Sequence, residues 1–307
     1  MPLLQSADWP LILDIYFFLG GLAGGAFVIA TIASLWGGER SREITRIGYY
    51  LALLAIIPGP IILIADLGMP TRFLHMLMVA KPDVTIGLSA ITIGSFHLKP
   101  FSPMSVGVWG LMGFSLCAFL AALDVFLVDR GGRSMTALRR SAGVIGSLFG
   151  FFIAAYPGVL MGATARPLWI DARLLGALYL TIGMATGGAA IALILAATGA
   201  RAREGMDNLK RTYTIALGLQ LILLILFLLV VRSAGPVAQE GLRVLVSGPY
   251  SLTFWVGAVG LGLIVPLIIE LAGRRRVSIG VTAVSAILIL IGGFLTKYVI
   301  MAAGQAI

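Results

Sequence analysis

Eight stretches of this chain are too long and too apolar to settle anywhere but across a lipid bilayer. They run from Leu11 to Trp36, Ile47 to Ala65, Met104 to Val128, Ser141 to Ala163, Leu174 to Thr198, Thr212 to Val231, Leu252 to Ala272 and Ile279 to Met301. Each comes close to or exceeds the roughly 20 residues an α-helix needs to cross a hydrocarbon core of about 30 Å. Backbone groups in lipid must be satisfied within their own segment, which makes these runs helices. Composition agrees: 59% of the 307 residues are hydrophobic and 11% charged, against roughly 25% charged in soluble domains. The expected fold class is an all-α membrane protein with eight transmembrane helices. No Lys or Arg precedes the first run, and it outlasts the apolar core of a signal peptide, so it is expected to remain as the first helix.

The net charge of +9 is distributed as a topology signal and not as a nucleic-acid surface. The connections after spans one, three, five and seven hold Arg40, Arg42, Arg46, Arg130, Arg133, Arg139, Arg140, Arg201, Arg203, Lys210, Arg211 and Arg274 to Arg276, fourteen in all. The opposite side holds seven: Arg72, Lys81, Lys99, Arg166, Arg173, Arg232 and Arg243. The positive-inside rule then places both termini, and the loops after spans two, four and six, outside the cytoplasm.

Two weak internal matches suggest two halves. Gly20-x-x-x-Gly24-Gly25 in span one is matched by Gly183-x-x-x-Gly187-Gly188 in span five, a spacing that lets membrane helices approach closely. Pro103-x-Ser105-x-x-x-Trp109 is matched by Pro249-x-Ser251-x-x-x-Trp255. The offsets, 163 and 146 residues, agree if the first half carries 17 extra residues between spans two and three. Four spans separate each pair, so the expectation is two parallel-repeat four-helix bundles, residues 1–172 and 173–307, with coincidence among Gly- and Pro-rich helix starts as the alternative. The extra residues fall in a long outer loop, 66–103, whose segment 84–98 is too short to cross and rich in β-branched residues. A surface hairpin or an interfacial re-entrant piece is expected there.

Ionisable residues inside membrane helices cost about 2.5 to 3.5 kcal/mol each on insertion scales and need individual explanation. Asp14 lies one turn inside span one, Asp66 closes span two, and Arg166 follows span four, all toward the outer face. Tyr156 sits two helical turns before Ala163, while Gly158 and Gly162 leave room for a backbone or a flat ring. Together these residues make a candidate pocket. For any one of them, an ordinary ion pair or a place at the wet interface serves as well. Apolar walls, hydrogen-bond donors and an exchangeable proton are what a quinone site requires. Asp124, Glu270 and Lys297 are the remaining deep charges; a proton path, a structural pair and a snorkelling side chain are all open for them.

Scarcity excludes several chemistries. The two histidines, His75 and His97, both lie in the long loop, so no helix pair can clamp a haem between imidazoles. With them, the single cysteine, Cys117, makes neither a zinc or copper site nor a resident iron–sulfur cluster. His75 is solvated, meets a partner, or relays protons at the pocket mouth. No GxxxxGK[ST], GxGxxG after a strand, or GxSxG occurs.

The runs YFFLGGLAGGAF (Tyr16 to Phe27), DLGMPTRF (Asp66 to Phe73), SPMSVGVWG (Ser102 to Gly110), GVLMGATARPLW (Gly158 to Trp169) and LLGALYL (Leu174 to Leu180) resemble the NrfD/PsrC-like membrane subunits of respiratory molybdopterin oxidoreductases. The resemblance is specific over the first half and rests on helix number and character in the second. It implies a multi-pass protein of a prokaryotic cytoplasmic membrane, two four-helix bundles, no haem, and a quinone site (menaquinone or ubiquinone) facing a ferredoxin-like iron–sulfur subunit, with a molybdopterin catalytic subunit beyond. It implies reacting roles for Asp14, Asp66, Tyr156 and Arg166, and quinone contacts around Tyr16, Arg72, His75, Gly162 and Trp169. The sequence departs from the family pattern at Asp14, where Asn or His is common, at Met69, where a basic residue is common, and at Pro157, where Thr is frequent. A secondary transporter built on Asp124 and Lys297, and an anchor with no redox role, remain as alternatives.

Overall fold

The computed structural model describes residues 9–78, 85–86, 91–93, 95–164, 166–198, 203–272 and 279–306. Eight helices among them are long and apolar enough to cross a membrane. They are α1 (Leu11–Trp36), the broken pair α2 (Arg42–Ile56) and α3 (Pro58–Asp66), α4 (Pro103–Asp129), α5 (Thr136–Gly162), α7 (Leu175–Thr198), α8 (Arg203–Arg232), a π-helical stretch (Thr253–Ile264) continued by α10 (Val265–Ala272), and α11 (Ile279–Gln305). Two short helices complete the set, α6 (Pro167–Ile170) and α9 (Pro236–Val246). The protein is thus the eight-span, all-α membrane protein expected from its hydropathy. The second span breaks where Pro58 and Pro60 remove two backbone donors within three residues.

The first helix is the hub. It packs on α2, α5 and α7, and α7 in turn packs on α8 and α11. From Gly20 to Thr31 every residue of α1 is buried, as expected of a helix that is apolar on all sides. Three glycines make this possible. A Cβ on Gly24 would collide with the Gly150 backbone of α5, and one on Gly25 or Gly183 with the facing backbone of α7 or α1. Without a hydrophobic drive between helices in lipid, such backbone-to-backbone packing is what holds the bundle.

The described residues of segment 84–98 form a small three-stranded antiparallel sheet. Strands β1 (Thr85–Ile86), β2 (Ile91–Ile93) and β3 (Phe96–Leu98) pair antiparallel in sequence order, with Ile91 opposite Leu98 and Ile93 opposite Phe96. The sheet is fastened to the start of α4: Trp109 Nε1 donates to the His97 carbonyl at 2.9 Å, and Ser105 Oγ accepts from the Lys99 amide at 3.0 Å. Trp255, at the matching place in the second half, donates to the Val246 carbonyl at 2.9 Å. Val246 ends α9, an amphipathic helix that hydropathy alone passed over.

The charges at the end of the bundle opposite the termini are used in structural clusters. Asp124, fully buried, accepts from the Met135 amide, from Ser134 Oγ at 3.3 Å, and from Arg139 Nη1 at 3.0 Å, tying the α4–α5 connection. Glu270 accepts from Tyr213 Oη at 2.9 Å and pairs with Lys210 at 3.3 Å, tying α10 to α8. Buried carboxylates need such complete sets of donors.

Candidate functional site

Residues Asp14 and Tyr16 are two apart on α1, and two residues of an α-helix subtend about 200°. They therefore leave the helix on nearly opposite sides, and the structure gives each side a distinct environment.

On the tyrosine side, Tyr16 is 5% exposed, with its ring laid over Gly59 of α3. Its hydroxyl makes no hydrogen bond among the described residues, and Gly59 also meets Leu111 of α4, one turn from the Gly107 that abuts Tyr156. Tyr156, on α5, donates to the Pro103 carbonyl at 3.1 Å, its ring end filling space that only a glycine at 107 leaves open. Phe152, one turn away, packs 5.4 Å from the Tyr156 ring and also lines an apolar groove between α4 and α5. The groove has a volume of about 820 Å³, and its walls include Trp109, Phe149, Leu98 and Pro100.

On the aspartate side, Asp14 is 3% exposed and faces α11. Lys297, 1% exposed, donates from Nζ to the Phe17 carbonyl of α1 at 2.8 Å and lies 4.9 Å from the centre of the Tyr179 ring. Gly21 admits the ammonium, since a Cβ there would collide with Nζ. Asp14 and Lys297 interact through space without closing a salt bridge among the described ion pairs. Above them opens a polar cavity of about 360 Å³ lined by Trp9, Asp14, Tyr250, Tyr298 and Gln305.

Gln305 organises this end of the molecule. Its side chain bonds both the amide and the carbonyl of Trp9, and its own carbonyl accepts from Arg166 Nη1 at 3.0 Å. Arg166 thus brings a cation to the C-terminus of α11, where free carbonyls and the helix dipole favour one. Trp169 is buried against Gly304, donates from Nε1 to the Ile300 carbonyl at 3.0 Å, and packs 5.4 Å from Trp9.

The sequence-derived pocket is therefore divided. Tyr16 and Tyr156 stay together; Asp14, Arg166 and Trp169 join α11 on the other side. Asp66 is exposed at the end of α3 and makes no ion pair among the described residues, and Arg72 and His75 are exposed on the 3₁₀ turn Pro70–Met76 that follows. Gly162 has room for a side chain, whereas Gly158 abuts the Leu175–Gly176 backbone of α7. Tyr250, Tyr298 and Gln305 were not anticipated, although Tyr298, Ala302 and Gln305 stand at i, i+4 and i+7 and share one face of α11. Asp14 and Gly21, seven apart on α1, likewise share the face that meets Lys297.

Residues 3–307 match the family described as polysulphide reductase, NrfD. The protein is similar to the C component of polysulfide reductase from Wolinella succinogenes, 25% identical over 97% of this sequence and 93% of the relative. It is also similar to the C component of selenate reductase from Mesobacillus selenatarsenatis, 21% identical over 93% of this sequence and 72% of the relative. Protein NrfD of Escherichia coli is 24% identical, over 97% and 94% respectively. With a match that runs nearly from end to end, this eight-span membrane protein belongs to the NrfD polysulphide reductase family.

Proposed function

We propose that the protein is the quinone-reactive membrane subunit of a multisubunit respiratory oxidoreductase. It exchanges electrons between the quinone pool and an iron–sulfur subunit docked at the end of the bundle that carries the termini. A molybdopterin catalytic subunit lies beyond that partner. The observation that carries this reading is two buried tyrosines, Tyr16 on α1 and Tyr156 on α5, with Phe152 linking Tyr156 to the apolar groove. The relatives named for reductases support the setting.

The residues present fit a quinone. Tyr16 offers a hydroxyl with no hydrogen bond of its own among the described residues, and Tyr156 offers one held in place by Pro103. The groove between α4 and α5, walled by Trp109, Phe149 and Phe152, offers an apolar lining for a prenyl chain. A bound quinone supplies the two-electron, two-proton chemistry. The tyrosines hold and orient its oxygens and hold protons at Oη, while Phe152 and Trp109 keep water from that side. Asp66, Arg72 and His75, exposed around the end of α3, contribute to the docking face. Arg166 acts through Gln305, fixing the α11 terminus on the same surface.

The excess of basic residues in alternate connections supports placing the termini outside the cytoplasm. The two-unit reading, 1–172 and 173–307, is supported by the paired Trp109 and Trp255 hydrogen bonds and by the central α1–α7 glycine contact. A transporter reading loses Asp124, whose oxygens are taken up by the α4–α5 connection.

The test is quinone-linked turnover of the purified complex carrying Tyr16→Phe, Tyr156→Phe or both. Loss of about 100-fold or more in the double variant is expected for removed acid–base groups, with the complex assembled and its activity toward an artificial electron donor or acceptor unchanged. Full turnover in the double variant would remove the pair from the mechanism.

A further inference from the structure

The quinone reading uses one side of α1 and leaves the other without a role. That side holds a carboxylate and an ammonium inside a membrane helix bundle, each of which has to be explained by structure or by use. Structure explains only half. Lys297 is supplied with an acceptor, the Phe17 carbonyl, and with the face of the Tyr179 ring. Asp14 is not: its Oδ1 is buried and has no hydrogen-bond partner among the described residues, a condition that carboxylates such as Asp124 and Glu270 avoid. Asp14 also lines the cavity shared with Trp9, Tyr250, Tyr298 and Gln305. A polar cavity of about 360 Å³ has room for roughly ten waters at liquid density.

We propose that Asp14 is a proton-exchange site, reached by water through the Tyr250–Tyr298–Gln305 cavity and held near the Lys297 amine. The step is a simple transfer. A hydronium in the cavity gives its proton to Asp14 Oδ1, leaving a carboxylic acid and a water molecule; release runs in reverse. Lys297 Nζ is bonded to the Phe17 carbonyl and rests against the Tyr179 ring.

Among the described residues, few groups face Asp14. From α11 come Lys297 and Tyr298, from α7 Tyr179, and from the segment before the π-helical stretch Tyr250. Arg166 is one step removed, behind Gln305. Tyr16 and Tyr156 face the other side of α1. The site is thus separate from the proposed quinone contacts, and its test does not depend on them.

The measurement is pH-difference infrared spectroscopy of the full complex in nanodiscs, from about pH 3 to about pH 9, a range that includes the ordinary carboxyl and imidazole values of about 4 and about 6.5. The expected result is a carboxylic-acid carbonyl band that grows as pH falls, shifts in deuterium oxide, disappears in Asp14→Asn and moves in frequency in Asp14→Glu. Lys297→Met should shift the midpoint of that band upward in pH, because loss of the nearby cation favours the protonated acid. Absence of any Asp14-dependent band in the correctly assembled complex would overturn the proposal. So would an Asp14 band that ignores pH but responds to added quinone, which would make the cavity a ligand site. The Glu variant keeps the test decisive if the Asn variant fails to assemble.

Discussion

The two sides of α1 solve the problem of polar chemistry in a membrane in different ways. On the tyrosine side the polar atoms are neutral hydroxyls at the tips of large apolar rings, and burial is achieved by stacking those rings on glycines and on Phe152. On the aspartate side they are ionisable groups, and Lys297 is buried with a specific acceptor and an aromatic face. Neutral donors in an apolar frame suit recognition of a hydrophobic carbonyl compound; an ionisable pair with one partner unsatisfied suits the coming and going of a proton. One helix carries both because its residues turn by about 100° each.

The contrast can be pressed hardest at Lys297. Replacing it with Met removes the group bonded to the Phe17 carbonyl and leaves that buried acceptor unmatched, a loss of about 1–3 kcal/mol. The Asp14→Asn/Lys297→Met double variant should recover part of that loss, whereas Tyr156→Phe combined with Lys297→Met should simply add. Thermal or denaturant unfolding in detergent reads both. A double variant no better than Lys297→Met alone would show that the two charges do not act as a pair.

Next in size is Gly21→Leu, which fills the place of the ammonium; overpacking of this kind costs about 1–3 kcal/mol. It should weaken the aspartate side while sparing quinone-linked chemistry at the tyrosines more than Gly107→Leu does, since Gly107 accommodates the Tyr156 ring. Equal loss of turnover in the two variants would erase the distinction between the sides. Trp169→Phe removes the bond to the Ile300 carbonyl and should cost about 1 kcal/mol, seen as a few degrees in Tm. The smallest effect is expected for Asp66→Asn. Its exposed position predicts a stability change within about 0.5 kcal/mol, so any larger defect it causes should appear only when the partner subunit is bound, as weakened pull-down of the complex.

The spans were legible because length and hydropathy are properties of a segment by itself. For segment 84–98 the sequence showed only that it is too short to cross, leaving a hairpin and a re-entrant piece both open. The division of the pocket was not read, for a physical reason: α1 is apolar all round, so no amphipathic pattern announces which neighbour Asp14 meets. Helical geometry did hold the clue, in the 200° between Asp14 and Tyr16, but it becomes informative only when α11 is known to lie against one face. Lys297 was found as a buried charge and left without a partner, because 283 positions separate it from Asp14 in the sequence. The short helix α9 carried its own signal, Pro236 at its start and buried Ala238, Gly241 and Leu245 at helical spacing, but eleven residues fall below the length that marks a crossing.

The bond from Lys297 to α1 ends on the carbonyl of Phe17, the residue next to Tyr16. The ammonium is therefore a tether on the backbone that carries the tyrosine, with a reach of 2.8 Å and little slack. A shift of Tyr16 along the helix axis by one residue rise, about 1.5 Å, would have to be followed by the lysine side chain for that bond to survive. Whatever enters between the tyrosines must be accommodated by their side chains, or else be felt across α1 by the lysine.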